Sequence, residues 1–151
     1  MKKLVQNPIY LILFILLFSN SNVFAQKYKA GAKNFLIRTN EILKYARECV
    51  NQNKVYTGKL SQASTHQKHA RELFKQGKYK SATYHSQRAR TLAFEAIKAN
   101  KKQVKTNMEL TATERDLIKD IPIAAQLDAE VQYDPNYTDE QAAAEKDTEI
   151  N

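Results

Sequence analysis

The chain has 151 residues, with 24 Lys and Arg against 16 Asp and Glu, three histidines, one cysteine and no tryptophan. A single cysteine excludes an internal disulfide framework, and three glycines with three prolines leave too few turn signals for a many-stranded sheet, so few, long helices are expected. The formal net charge of +8 hides an uneven layout: residues 26–108 carry 19 basic and 4 acidic side chains, whereas residues 109–151 carry 3 and 12.

Residues 1–25 read as a secretory signal peptide. Lys2 and Lys3 precede the unbroken apolar run from Ile9 to Phe18, and Val23-Phe24-Ala25 places small residues at the −3 and −1 positions of a cleavage site before Gln26. Ten apolar residues fall short of the roughly 20 that a membrane span needs. Residue 26 is not cysteine, so no lipid anchor is expected there. The expected location is periplasmic or secreted. The remaining residues, 26–151, suit one domain at 26–131 followed by an acidic tail at 132–151.

From Asn34 to Asn51, Phe35, Leu36, Ile42, Leu43, Ala46, Cys49 and Val50 recur at spacings of three, four and seven, which predicts a first helix with Cys49 as a small buried hydrophobe. Leu60, Ala63, Ala70, Leu73 and Phe74 predict a second helix from Lys59 to Gln76, its stripe interrupted by Gln67. Gly77 supplies the left-handed residue that closes a helix. A third helix follows from Tyr79 to about Asn100, with Ala82, Ala89, Leu92, Ala93, Ala96 and Ile97 on one face and Ser86 in register. The short connection makes these two helices antiparallel.

Ala70, Gly77, Tyr79, Ala82 and Ala89 keep the spacing of the small and aromatic positions of a tetratricopeptide repeat, which this stretch of about residues 63–97 resembles. His66 stands where that family usually has a large aromatic, and no proline closes the unit. The resemblance implies a helical hairpin of similar geometry in a scaffold protein. A single unit needs neighbours to cover its apolar face.

Beyond Lys105, Thr111 and Glu114 predict a capping box that opens a short helix through Leu117 and Ile118. A second short helix is expected from about Pro122 to Val131, then a turn at 133–137. Residues 138–151 are acidic and alanine-rich with Ile150 their only large apolar side chain, so disorder is expected. The fold class is therefore all-α: a small bundle built on the hairpin, with a disordered acidic tail.

Three chemistries compete for function. The first is a non-enzymatic interaction or scaffold protein with a protein partner or self-association. The second is an electrostatic binder of anionic lipids or polysaccharides through Arg71, Lys75, Lys78, Lys80, Arg88 and Arg90, provided that these form one face. Export and the lack of a groove-reading motif disfavour nucleic acid as the anion. The third and most remote is a metal site from His66, His69 and His85, which an antiparallel hairpin brings to similar height. No cofactor is implied, since there is no glycine-rich phosphate loop, H-E-x-x-H or G-x-S-x-G pattern, and no enzyme is expected. Glu41, Glu72 and Glu95 each precede a lysine by three residues and are expected to form exposed helical ion pairs.

Overall fold

The computed structural model describes the backbone of residues 8–146 and the side chains of residues 26–146. Among the described residues six α-helices follow in order: α1 (Pro8–Asn53), α2 (Lys59–Lys75), α3 (Tyr79–Ala99), α4 (Ala112–Leu117), α5 (Ala124–Ala129) and α6 (Asp139–Ala144), with a 3-10 turn at Thr106–Met108. There is no strand among the described residues, and the fold is all-α. No described helix is long and apolar enough to cross a membrane. The first seven residues of the expected leader lie outside the described residues, and from Pro8 its backbone runs directly into α1.

The hairpin forms as the sequence predicts. Gly77 takes a φ of +77°, a conformation that costs other residues about 1–2 kcal/mol. The Gly77 and Lys78 amides donate to the Phe74 and Leu73 carbonyls, closing α2. The chain then turns, so that α2 and α3 pack antiparallel, and α1 lies against both. The sequence places the start of α1 at Asn34, but the helix begins well before it, because nothing between Gln26 and Asn34 breaks it. Ala32 is fully buried beside Leu36, Ala70, Leu73, Phe74 and Ala82. Gly31 lies close to Leu117, whose two methyl carbons would lie 3.2 and 3.5 Å from a β-carbon at that position.

The apolar interior is in two parts. One surrounds Ala32, Leu36, Leu73 and Phe74 near the hairpin turn. The other surrounds Ile42, Leu43, Leu60, Leu92, Ile97 and Met108 and includes Cys49, which is 1% exposed. Fully buried polar side chains also run through the bundle: Thr39, His66, Gln67, His85, Ser86 and Arg90. Gln67 Nε2 donates to the Leu36 carbonyl at 2.9 Å and to Asn40 Oδ1 at 2.7 Å, tying α2 to α1.

The C-terminal segment departs from expectation. Much of the predicted disordered tail is ordered: α6 packs on α1 and α2, with Ala142 fully buried and Asp139 2% exposed. Its alanines are poor at burying area, and its docking depends instead on polar contacts to the bundle. Residues 147–151 lie outside the described residues.

Candidate functional site

The basic hairpin meets the acidic third of the chain at three places. At the first, α4 presents Glu114 from its first turn. The Thr111 hydroxyl accepts the Glu114 amide at 3.2 Å, and Glu114 Oε2 accepts the Thr111 amide at 2.9 Å, completing the predicted capping box. The same carboxylate accepts Arg90 Nη2 at 2.9 Å and pairs with Arg38. Arg90 is fully buried, its guanidinium 4.3 Å from the centre of the Phe35 ring and 3.2 Å from Thr39 Oγ1. Burial alone would raise the Glu114 carboxyl, but Arg90, the Thr111 amide and Arg38 outweigh it and hold it below the usual range. Arg38 also donates to the Asn107 and Glu109 carbonyls, fixing the turn that leads into α4.

At the second place, α5 and the residues after it cover a pair of histidines. His66 on α2 and His85 on α3 are both fully buried, with their Nδ1 atoms 3.1 Å apart and their rings stacked. Beyond the pair, His66 Nε2 meets Asp128 Oδ1 at 3.0 Å and the Tyr133 hydroxyl at 2.7 Å, while His85 Nε2 meets Glu130 Oε2 at 3.1 Å. Asp128 is held in turn by Arg88, whose Nε and Nη2 each donate at 2.8 Å. With two protons on the imidazole pair, only one of its outer nitrogens can donate to a carboxylate. A third proton would serve both Asp128 and Glu130, but it would place a charge in the interior. Burial, followed by the neighbouring His85, lowers the His66 pKa to about 4 against the opposing pull of Asp128. Burial likewise lowers His85, with Glu130 opposing.

At the third place, Asp139 reaches from the start of α6 to the start of α2. Gly58, which precedes α2, has a left-handed φ of +76° and contributes no side-chain cap. Asp139 supplies the missing acceptor: Oδ2 accepts the Thr57 and Gly58 amides at 2.7 Å each, and Oδ1 accepts the Ser61 amide at 2.8 Å. A carboxylate at a helix N-terminus is favoured by both the unpaired amides and the helix dipole. At the other end of α6, Arg47 Nε donates to the Ala142 carbonyl and Asn51 Nδ2 to the Ala143 carbonyl, each at 3.1 Å. Lys68 Nζ pairs with Glu145 at 2.6 Å.

These contacts decide where the predicted site residues stand. Arg90 is inside the protein on Glu114, and Arg88 is held by Asp128, so neither belongs to an outward basic face. Lys80 lies 3.4 Å from Asp120 at the surface, and Arg71 is half-buried. Lys75 and Lys78 are exposed at the hairpin turn, and Lys98, Lys101 and Lys102 are exposed near the far end of α3. A helix of 21 residues puts about 30 Å between those two groups. With Arg90 inside the bundle and Arg88 paired with Asp128, the six cations do not form one exposed face.

The three histidines do converge, with His69 edge-on to His85 at 4.5 Å between ring centres. Even so, among the described residues no group of three or more His, Cys, Asp or Glu is placed to hold a metal ion. His69 borders an open cleft of about 370 Å³ between α2 and residues 131–137. Of the carboxylates expected to pair along their own helices, Glu95 reaches across to Lys59 at 3.1 Å and Glu72 lies 3.8 Å from His69.

Sequence reasoning missed Asp128, Glu130, Tyr133 and Asp139. The available signal was indirect: Gln67, Ser86 and the histidines occupy hairpin positions that an apolar bundle would fill with hydrophobes, so a polar partner had to come from elsewhere in the chain. No protein-family model, curated protein or solved structure matches this chain.

Proposed function

We propose that this chain is a non-enzymatic interaction or scaffold protein, exported to the cell envelope, whose basic hairpin is braced by its own acidic C-terminal third. The observation that carries this reading is the use made of the hairpin's cations. Arg88 and Arg90 each face a carboxylate of the C-terminal third at hydrogen-bonding distance, and the exposed Lys75 and Lys78 lie at the opposite end of α3 from Lys98, Lys101 and Lys102. At physiological salt the screening length is about 8 Å, so groups about 30 Å apart do not act as one anion-binding surface. The buried histidines support the same reading. They are closed off from solvent, and their contacts hold α5 in place.

The discriminating measurement is co-sedimentation with phosphatidylglycerol vesicles and with an acidic polysaccharide, at low salt and at about 0.15 M. The scaffold reading expects no binding at the higher salt. Tight binding there, weakened by Lys75→Glu with Lys78→Glu, would overturn it in favour of the electrostatic binder. Export rests on the sequence of residues 1–25, and Gln26 as the first residue of protein recovered from the envelope would test it. Cleavage at that point removes none of the described buried side chains, the first of which is Ala32.

A further inference from the structure

The contacts that hold α6 have an unusual distribution. The helix has six residues, far below the 12–15 at which isolated helices become even marginal in water. Its buried side chains are Asp139, Ala142 and Ala143, two of them too small to bury much surface. What fixes it is polar, and much of that is directed at features that any short helix of similar composition would share. Three amides at the start of α2 take a carboxylate at the first helical position. Arg47 and Asn51 take the carbonyls of the last turn. Lys68 and Arg47 face an acid six residues after the first, Glu145, at 2.6 and 3.8 Å. Between these ends the floor is apolar, formed by the part of the interior that includes Ala46, Val50, Leu60 and Ala63.

We propose that this seat between α1 and α2 is a peptide-docking site, held in the free protein by α6 and taken in trans by a helical segment of a partner protein. The partner segment begins with Ser or Thr followed by Asp, carries small residues three and four positions after that Asp, and has an acid at the sixth. This deepens the scaffold reading, on which it rests, by naming the partner's chemistry. The charge matches: a basic rim of Arg47 and Lys68 and an α2 N-terminus receive an acidic segment. A partner helix longer than α6 displaces it by burying more surface on the same floor. The tether works in the opposite direction, because a linked segment has an effective concentration of the order of millimolar.

The test uses the full chain and a fluorescent peptide copying residues 136–146. Asp139→Ala in the full chain loosens α6 and leaves the seat intact. That variant is expected to bind the peptide about fivefold more tightly than the unaltered chain does. A peptide carrying Asp139→Ala should bind about fivefold more weakly, and adding Arg47→Ala to the variant chain should abolish binding. Should Asp139→Ala lose its helical circular dichroism, Glu145→Gln loosens the other end of α6 and gives the same comparison. Failure of the loosened chain to bind up to millimolar peptide, or equal binding of the two peptides, would overturn the proposal. A chain that ignores both vesicles and peptide loses this site and keeps the scaffold reading, whereas salt-resistant vesicle binding removes the reading itself.

Discussion

Glu114 on α4 and Asp128 on α5 both tie the acidic third to the hairpin, but they meet different kinds of base. Glu114 faces Arg90, a buried cation that keeps its charge at any physiological pH, and so the contact is a permanent one. Asp128 faces His66, whose buried ring is neutral near pH 7, with Arg88 supplying the charge from the side. The comparison shows that two carboxylates on neighbouring short helices brace the same hairpin over different pH windows. The first contact resists acid as long as Glu114 remains ionised, and its carboxyl is held below the usual range. The second yields to acid sooner, because the histidines take up a proton more readily in the unfolded chain than inside the bundle.

The largest effect expected is at the permanent contact. Glu114→Ala leaves Arg90 buried without its carboxylate, and breaking a buried pair from one side costs about 3–5 kcal/mol. Urea denaturation at neutral pH should show that loss as a lower midpoint. Replacing both partners, Arg90→Leu with Glu114→Leu, should recover most of it, since no lone charge then remains inside. A double variant as unstable as the single would mean that the charge pair itself, and not the orphaned arginine, carries the stability.

Next in size is the acid response of the histidine contact. The folded-state pKa of His66, about 4, lies below the ordinary 6.5, so the unfolded chain takes up a proton first as pH falls. Stability is therefore complete above about 6.5 and is lost progressively down to about 4, by an amount of the order of 3 kcal/mol. His85 is shifted in the same direction and adds to the loss. Urea midpoints measured between pH 7 and 4 should fall in the unaltered chain and fall much less in His66→Gln. Parallel curves for the two would place the acid sensitivity elsewhere.

The hairpin was legible in the sequence because its determinants are local. Gly77 and the periodic stripes of Leu73, Phe74, Leu92 and Ile97 each act within a turn or two of their own position. The Thr111–Glu114 capping box was legible for the same reason. The partners of the buried polar groups were not: Asp128 lies 62 residues from His66, and Asp139 lies 78 from the Ser61 amide that it accepts. Composition alone also made residues 138–146 look disordered, since alanines and acids bury little. Their order depends on amides and an arginine in distant helices, which no property of the segment itself records. Gln67, Ser86 and the histidines at positions an apolar bundle would fill with hydrophobes were the hints that polar groups would have to be met inside.

Two smaller effects sharpen the comparison further. Asp128→Asn should cost about 1–2 kcal/mol, because the carboxylate is about one-third exposed and its pairing with Arg88 is partly screened. It should also move the folded-state titration of His66, followed by NMR, to lower pH, because Asp128 is a group that favours His66 protonation, and so deepen the loss of stability in acid. An unchanged titration would show that Asp128 acts only on Arg88.

Asp139→Ala is the smallest, at about 1 kcal/mol, the usual cost of a lost helix cap. Its effect should also be local, because α6 has little apolar burial to hold it once the cap is gone. Hydrogen exchange should therefore speed up in residues 139–144 and at the Thr57, Gly58 and Ser61 amides, while the cores of α2 and α3 keep their protection. Uniform acceleration across the hairpin would instead mean that α6 is an integral layer of the bundle, as the permanent contact at Glu114 makes α4, and not a separable strap.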